Sequence, residues 1–324
     1  MSRRIGPRRA GAARLHVFVD SERFGRDLGR AAGLQLERVA VHRFPDGESL
    51  VRVGATAGMH AVLVRSLHDP NAKLVETVLA ADALRRAGAR RVTLIAPYLP
   101  YMRQDRMFET GEPVSQRVIG AWLRNSFDRV LTLEAHLHRI RRLADVMGRG
   151  SRSLSAAPAI SAWLRRAGGA RNCLVVGPDG ESAPWVRAIA RAAGAPWVVG
   201  VKERFADRSV RITLPSLPAC RRALIVDDIA SSGVTLAVAA RALRERRVRV
   251  VDALVVHAIF APGALERIRA AGVRRMISCD TIPHQTNRIA TAPIFAPVLI
   301  GRSAQAGRGR VLSGVKEGDE RCSD

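Results

Sequence analysis

Two successive α/β units, each built on a mainly parallel sheet, are what this sequence predicts, and three observations carry the prediction. Short runs of β-branched residues alternate with Ala/Arg/Leu-rich helical stretches along nearly the whole chain. The strand runs are apolar throughout instead of alternating, which is the pattern of parallel strands covered on both faces by helices. The alternation also runs through twice, with a Gly/Arg/Ser-rich stretch over 148–155 as a hinge between the halves. A chain of 324 residues is long enough for two cores.

In chain order, the first half offers strands at 15–20 (LHVFVD), 61–66 (AVLVRS), 91–97 (RVTLIAP) and 129–136 (RVLTLEAH), with helices at 73–88 and 114–126. The second half offers strands at 172–179 (NCLVVGPD), 197–202 (WVVGVK), 222–228 (RALIVDD), 250–260 and 275–283, with helices at 182–194 and 234–247. The stretch after 202, ERFADRSVRITLPSLPAC, reads as a long flexible loop. Residues 1–14 and 302–324 are polar, Gly-rich and without periodicity, so both read as mobile tails. The units proper are thus 15–150 and 151–301. In such sheets ligands gather beyond the carboxyl ends of the strands.

Composition narrows the class. Apolar residues are 47% and charged residues 25%, the balance of a globular protein. No apolar run approaches the roughly 18 residues of a membrane span, and the basic N-terminus lacks the apolar segment of a secretory signal, so no membrane is expected. Cys173, Cys220, Cys279 and Cys322 are far apart and form no C-x-x-C pair, which fits a reducing cytoplasm and argues against a metal cluster. The formal charge is +24. The arginines fall in nearly every helix and aromatics are only 4%, so nucleic acid is not expected as the main partner. A positive field also draws in phosphorylated small molecules. Lysine occurs only at Lys73, Lys202 and Lys316. A retained lysine supplies a compact, rotatable ammonium that a planar guanidinium cannot imitate.

The strongest local signal is ALIVDDIASSGVTLAV (223–238). An apolar strand ends in Asp227 and Asp228, and a small-residue loop opens a helix. Ser231, Ser232, Gly233, Val234 and Thr235 can offer amides and hydroxyls to one phosphate at a helix N-terminus. The two aspartates sit one step back, within reach of vicinal hydroxyls. Phosphate cradle plus diol-binding acids describes a ribose 5-phosphate site. No G-K-[ST] is present, so this is not a Walker A loop. The bland alternative is a strand–turn–helix with an Asp cap.

This segment resembles the signature of type I phosphoribosyltransferases and of the phosphoribosyl diphosphate synthases, which share that fold. Ser231 stands where many members carry an acid, and Val234 where many carry a second glycine. RFPDGES (43–49), PYLPYMRQDRMFETGEPVS (97–115) and RVLTLEAHLH (129–138) resemble the ATP-handling half of a ribose-phosphate pyrophosphokinase. Similar pieces continue through VVGPDGESA (175–183), Lys202-x-Arg204 and VVHAIFAPGALERI (255–268) to CDTIP (279–283). The resemblance spans about residues 15–300 and implies two tandem phosphoribosyltransferase-like (Rossmann-like) domains.

The resemblance also implies roles. Phe44, Asp46 and Glu48 would bind adenine, often from a neighbouring subunit, and so imply a homo-oligomer; otherwise they are a surface turn. Paired arginines after a Pro-Tyr-rich turn suit polyphosphate, and the resemblance puts Arg103 and Gln104 on ATP. His136 would contact Mg-ATP, with Asp179 as a second group associated with Mg²⁺, an ion that favours oxygen ligands and keeps its waters. Glu134 replaces an aspartate common two positions before this histidine, and His138 is read as incidental. Lys202 and Arg204, the latter also on the sugar phosphate, would close over the reactants and act in catalysis. The implied substrates are ATP and ribose 5-phosphate. The rival expectations are a phosphoribosyltransferase that consumes the diphosphorylated sugar and a non-catalytic synthase-like subunit.

Overall fold

The computed structural model describes residues 13–137, 140, 142–167, 172–204 and 210–300, with only the backbone of Arg204. The C-terminal tail, His138 and Cys322 therefore lie outside the described residues, as do residues 1–12 of the N-terminal tail. Ala13 and Arg14 do not belong to a tail, because they open the first strand.

The first half runs β1 (Ala13–Phe18), α1 (Glu22–Ala32), β2 (Leu36–Arg43), β3 (Ser49–Arg52), β4 (His60–Val64), α2 (Pro70–Arg86), β5 (Arg91–Ala96), α3 (Ser115–Ser126), β6 (Arg129–Leu133), α4 (Ala144–Met147) and β7 (Arg152–Leu154). The second half runs α5 (Ala157–Arg166), β8 (Cys173–Gly177), α6 (Ala183–Ala193), β9 (Trp197–Val199), β10 (Val201–Arg204), β11 (Val210–Thr213), β12 (Arg222–Ala230), α7 (Val234–Glu245), β13 (Val250–Ala258), α8 (Ala264–Ala270), β14 (Val273–Cys279), β15 (Asn287–Ile289) and α9 (Ala292–Leu299).

The first sheet has the order β3-β2-β1-β4-β5-β6-β7, parallel except for the β2–β3 hairpin. The second has the order β15-β14-β13-β12-β8-β9 and is parallel throughout. The stretch around the expected division at 150/151 is part of the first sheet's edge. The Gly/Arg/Ser-rich stretch read as a hinge contains β7, which pairs with β6 and completes the first sheet. Its serines and arginines are a short edge strand whose polar composition hides its pairing.

Both sheets turn an apolar face into a shared core. Leu15, Val62, Ile95 and Leu131 of the first sheet and Val175, Leu224 and Leu254 of the second are fully or almost fully buried with α1, α5, α6 and α9 between them. The last helix crosses back to the first half: Phe295 meets Phe24 of α1 edge-to-face at 5.8 Å. The outer faces have their own cores, under α2 and α3 in the first half and under α7 and α8 in the second.

The stretch after Lys202 is not a long loop. Gly200 ends β9, and a Cβ there would lie 2.8 Å from Ile212 and 3.0 Å from the Pro178 carbonyl. That close approach lets the chain leave the sheet as the two-stranded ribbon β10–β11, with Lys202 level with Ile212. Ile212 and Leu214 are buried in the outer core. The alternation of Val210 and Ile212 with polar residues is a period-2 signal, masked in sequence by the surrounding arginines.

Candidate active site

Topology locates the site. In the second sheet the strand order reverses between β8 and β12, and in open α/β sheets ligands bind beyond the carboxyl ends at such a reversal. β8 delivers Asp179 there and β12 delivers Asp227 and Asp228. A cleft of about 1040 Å³ opens above them. Its walls include Arg103, Glu134 and His136 from the first half and Asp179, Lys202 and the whole Asp227–Thr235 segment from the second.

The Ser231–Thr235 loop offers amides at a helix N-terminus. Gly233 is in the left-handed region (φ +76°) and α7 starts at the next residue, so the amides of its first turn face the cleft unpaired by the helix. The turn needs glycine at Gly233 only; Val234 is already helical. The loop is braced from behind, where Ala261 N donates to Ser231 O (3.1 Å) and Arg267 to Ser232 O.

Charge is concentrated in the cleft. Burial, together with the carboxylates of Asp228 and Asp179, pushes Asp227 well above the usual carboxylate range. Burial also acts to raise Asp228, but the hydrogen bond and charge of His136 outweigh it and hold this acid low. His136 Nδ1 donates to Asp228 Oδ2 at 2.5 Å and so joins the end of β6 to the end of β12. Lys202 Nζ pairs with the Asp179 carboxylate. Glu134, in a strained conformation (φ +37°), accepts from Ser155 Oγ and Ala156 N, both at 2.7 Å, and burial raises its pKa.

Beneath the cleft, His257 ties the halves together. Its Nε2 donates to the Leu133 carbonyl (3.1 Å), its Nδ1 lies 2.9 Å from Thr281 Oγ1, and burial pushes its pKa down to about 4. Tyr98 packs edge-on against the ring. Sequence reading missed this residue because a buried histidine within an apolar run carries no signal of its partners. Phe108 lies within the 97–115 stretch and Trp185 just past VVGPDGESA, but neither was given a role, because an apolar ring in a polar motif carries no signal of the wall it joins.

Other expected residues are not brought to this cleft. Phe44, Asp46 and Glu48 form the β2–β3 turn, closed by Phe44 N to Glu48 O (2.8 Å) and Glu48 N to Asp46 Oδ1 (3.0 Å), with the Phe44 ring half exposed. Gln104 faces Ser115 and Glu112 instead of the cavity. The side chain of Arg204 is outside the described residues.

The donors suit Mg²⁺ held jointly with substrate phosphates. Among the described residues no cluster of three or more His, Cys, Asp or Glu forms a ready cage. Mg²⁺ characteristically takes one or two carboxylates and completes its shell with phosphates and water. The crowding that raises Asp227 marks a place short of positive charge.

A cleft at a strand-order reversal, with a helix N-terminus, two adjacent carboxylates and cations from both halves on its walls, is the arrangement of an α/β protein built from two phosphoribosyltransferase-type domains. Residues 15–126 match the family model for the N-terminal domain of ribose phosphate pyrophosphokinase, and residues 148–291 match the phosphoribosyl transferase domain. A ribose-phosphate pyrophosphokinase of Methanopyrus kandleri is 32% identical over 284 residues, covering 86% of this chain and 97% of that protein. One from Aeropyrum pernix is 36% identical over 282 residues, covering 84% and 89%. The fold matches the crystal structure of phosphoribosylpyrophosphate synthetase from Mycobacterium smegmatis with a TM-score of 0.77 at 23% identity, covering 90% and 98% of the two chains. The chain belongs to the ribose-phosphate pyrophosphokinase family.

Proposed function

We propose that this chain transfers the β,γ-diphosphate of ATP to O1 of ribose 5-phosphate, giving 5-phosphoribosyl 1-diphosphate and AMP for nucleotide biosynthesis. One observation carries the reading: the Asp227–Thr235 loop faces His136, Asp179 and Lys202 across a single cleft. The N-terminal unit handles the nucleotide and the C-terminal unit the sugar phosphate.

The α7 amides with Ser231, Ser232 and Thr235 hold the 5-phosphate, and Asp227 and Asp228 accept from the ribose hydroxyls. O1 attacks the β-phosphorus, its proton is released, and the bond from that phosphorus to the oxygen leaving with AMP breaks. Such transfers ask the protein mainly for in-line positioning and charge stabilisation. Lys202 and Arg204 supply positive charge at the transferring group. Asp179, and His136 through water, would hold Mg²⁺, which when bound neutralises phosphate oxygens.

Arg103 and Gln104 serve the nucleotide phosphates. The Phe44–Glu48 turn lies away from its own chain's cleft, which supports adenine contacts made by a second copy, so the working form is at least a dimer. Among the described residues no helix is long and apolar enough to cross a membrane, and Cys173, Cys220 and Cys279 are free thiols, in keeping with a cytoplasmic enzyme.

The test is AMP formation from ATP and Mg²⁺ with and without ribose 5-phosphate. Sugar-dependent AMP release with no nucleobase present is expected. Its absence, or release only with a base and preformed diphosphorylated sugar, sinks the reading.

A further inference from the structure

The edge of the second sheet opposite the cleft carries a charge pattern that the transfer chemistry does not use. All strands of this sheet begin there. Register sets Arg222 of β12 level with Val250, and Arg275 of β14 level with Asp252 of β13. α7 ends on the same edge, where its last turn and the link to β13 add Arg244, Arg246, Arg247 and Arg249. Sequence reading set nucleic acid aside because the arginines looked scattered. The fold gathers these across three adjacent strands, a width of about 10 Å at roughly 4.8 Å per strand, with the helix end beside them.

Negative charge on these segments does not balance them. The acids within 219–222, 244–252 and 269–275 are Glu245 and Asp252. Asp252 is buried and shared, taking 3.1 and 2.9 Å bonds from Arg274 and 3.4 and 2.8 Å bonds from Arg275. Arg246 is held by the carbonyls of Leu214 (2.8 Å) and Pro215 (2.5 Å), and Arg244 by that of Arg249 (2.7 Å). Carbonyls orient a guanidinium without cancelling its charge.

A second observation comes from the backbone. α2 and α7 end in the same motif: Gly88 N to Arg85 O (2.9 Å) with Ala89 N to Leu84 O (3.0 Å), and Arg247 N to Arg244 O (2.9 Å) with Val248 N to Leu243 O (3.1 Å). The motif calls for a left-handed residue, normally glycine. Gly33, Gly88, Gly194 and Gly272 fill that role elsewhere, whereas after α7 it is Arg247, at φ +63°. At this turn the chain carries a cation at a place where its own helix would be more stable with glycine.

We propose that this arginine edge is a docking surface for the phosphate backbone of double-stranded nucleic acid. Guanidinium forks match phosphate geometry, and the patch is too wide for one small phosphate ester. The large exposed apolar side chains, such as Trp122, Phe108 and Val201, belong to other segments. The edge therefore offers neither an apolar face to insert into a bilayer nor a platform to stack unpaired bases. Contact is with the backbone and independent of sequence.

The experiment is anisotropy of a short labelled DNA duplex against the full chain over a salt series. Replacing Arg221, Arg247, Arg249 and Arg269 with serine is expected to weaken binding at least tenfold at moderate salt. It should flatten the log–log salt slope by about three to four, with AMP formation unchanged. A control set, serine at Arg90, Arg117, Arg124 and Arg149, removes the same charge from the first half and should leave the slope intact. Equal losses in both sets, no binding by the parent, or displacement of the duplex by anionic vesicles at matched charge overturns the proposal. The single variant Arg247→Gly should raise the unfolding midpoint while weakening duplex binding. Stabilisation with unchanged binding overturns the role given to the strained arginine.

Discussion

Lys202→Ala probes the catalytic reading most directly. Lys202 sits on β10 opposite Ile212, whose side chain is only 5% exposed, so its backbone is anchored even though the ribbon's tip is outside the described residues. Its own side chain is 16% exposed and paired with Asp179. An ammonium about 4 Å from a unit charge, at an effective dielectric near 20, interacts by about 4 kcal/mol. Only the part that grows as the diphosphoryl group transfers lowers the barrier. Losing one preorganised donor of this kind costs about 10²–10³ in kcat, or about 2.7–4 kcal/mol. The expected result is that loss in steady-state AMP formation, with KM for ATP within a few-fold of the parent. Lys202→Arg should recover little, because a planar fork cannot take the ammonium's place. Removing the lysine also leaves Asp179 beside Asp227 without its counter-charge. The variant should therefore lose stability at neutral pH, where the raised Asp227 loses a neighbouring cation, and folding must be checked by circular dichroism at the assay pH. A folded Lys202→Ala protein turning over within a few-fold of the parent would refute the assignment.

Three further outcomes follow from the same geometry. Asp227→Asn should cut kcat/KM for ribose 5-phosphate by about 10- to 100-fold, the worth of a charged hydrogen bond. Because the folded pKa of Asp227 is raised, its ionisation costs stability as pH rises, so the Asn variant should melt higher than the parent by a margin that grows with pH in a thermal series. His257 is held neutral, with a pKa of about 4 against 6.5 unfolded. Stability should therefore be full above about pH 6.5 and fall by about 3 kcal/mol on acidification through pH 4, and His257→Gln should flatten that limb in denaturant titrations. Gly233→Ala places a Cβ 3.0 Å from the Ala264 carbonyl and from Ile268 at φ +76°. It should cost about 1–2 kcal/mol and raise KM for ribose 5-phosphate far more than KM for ATP.

What could be read from sequence was what periodicity and local chemistry encode. The buried strands 91–96, 173–177 and 250–258 announce themselves as mostly apolar, β-branched runs, and the Asp227–Thr235 loop by composition alone. What could not be read depends on pairing across the chain. β7 is Arg152, Ser153 and Leu154, a short and mostly polar run that becomes a strand only because β6 lies beside it. The β10–β11 ribbon depends on Gly200 turning the chain past Pro178. The meeting of His136 with Asp228 spans 92 residues and was not expected, since the resemblance gave the two residues different substrates. The arginine edge was hidden in the same way, with each residue unremarkable in its own segment.

The duplicated architecture also supports the proposed division of work between the halves. The first sheet reverses its strand order between β1 and β4, so by the rule that puts the cleft between β8 and β12 it should hold a ligand there too. It does not have the room. Ser66 at the end of β4 donates to the Thr281 carbonyl (2.5 Å), and the segment from Asp280 to Asn287 lies over the reversal, leaving a cavity of about 120 Å³. That is below the roughly 300 Å³ where ligand pockets begin. The second half thus fills the first half's reversal point, and the proposed nucleotide contacts lie further along the sheet. There β5 and β6 carry Arg103 and His136 to the neighbouring cleft.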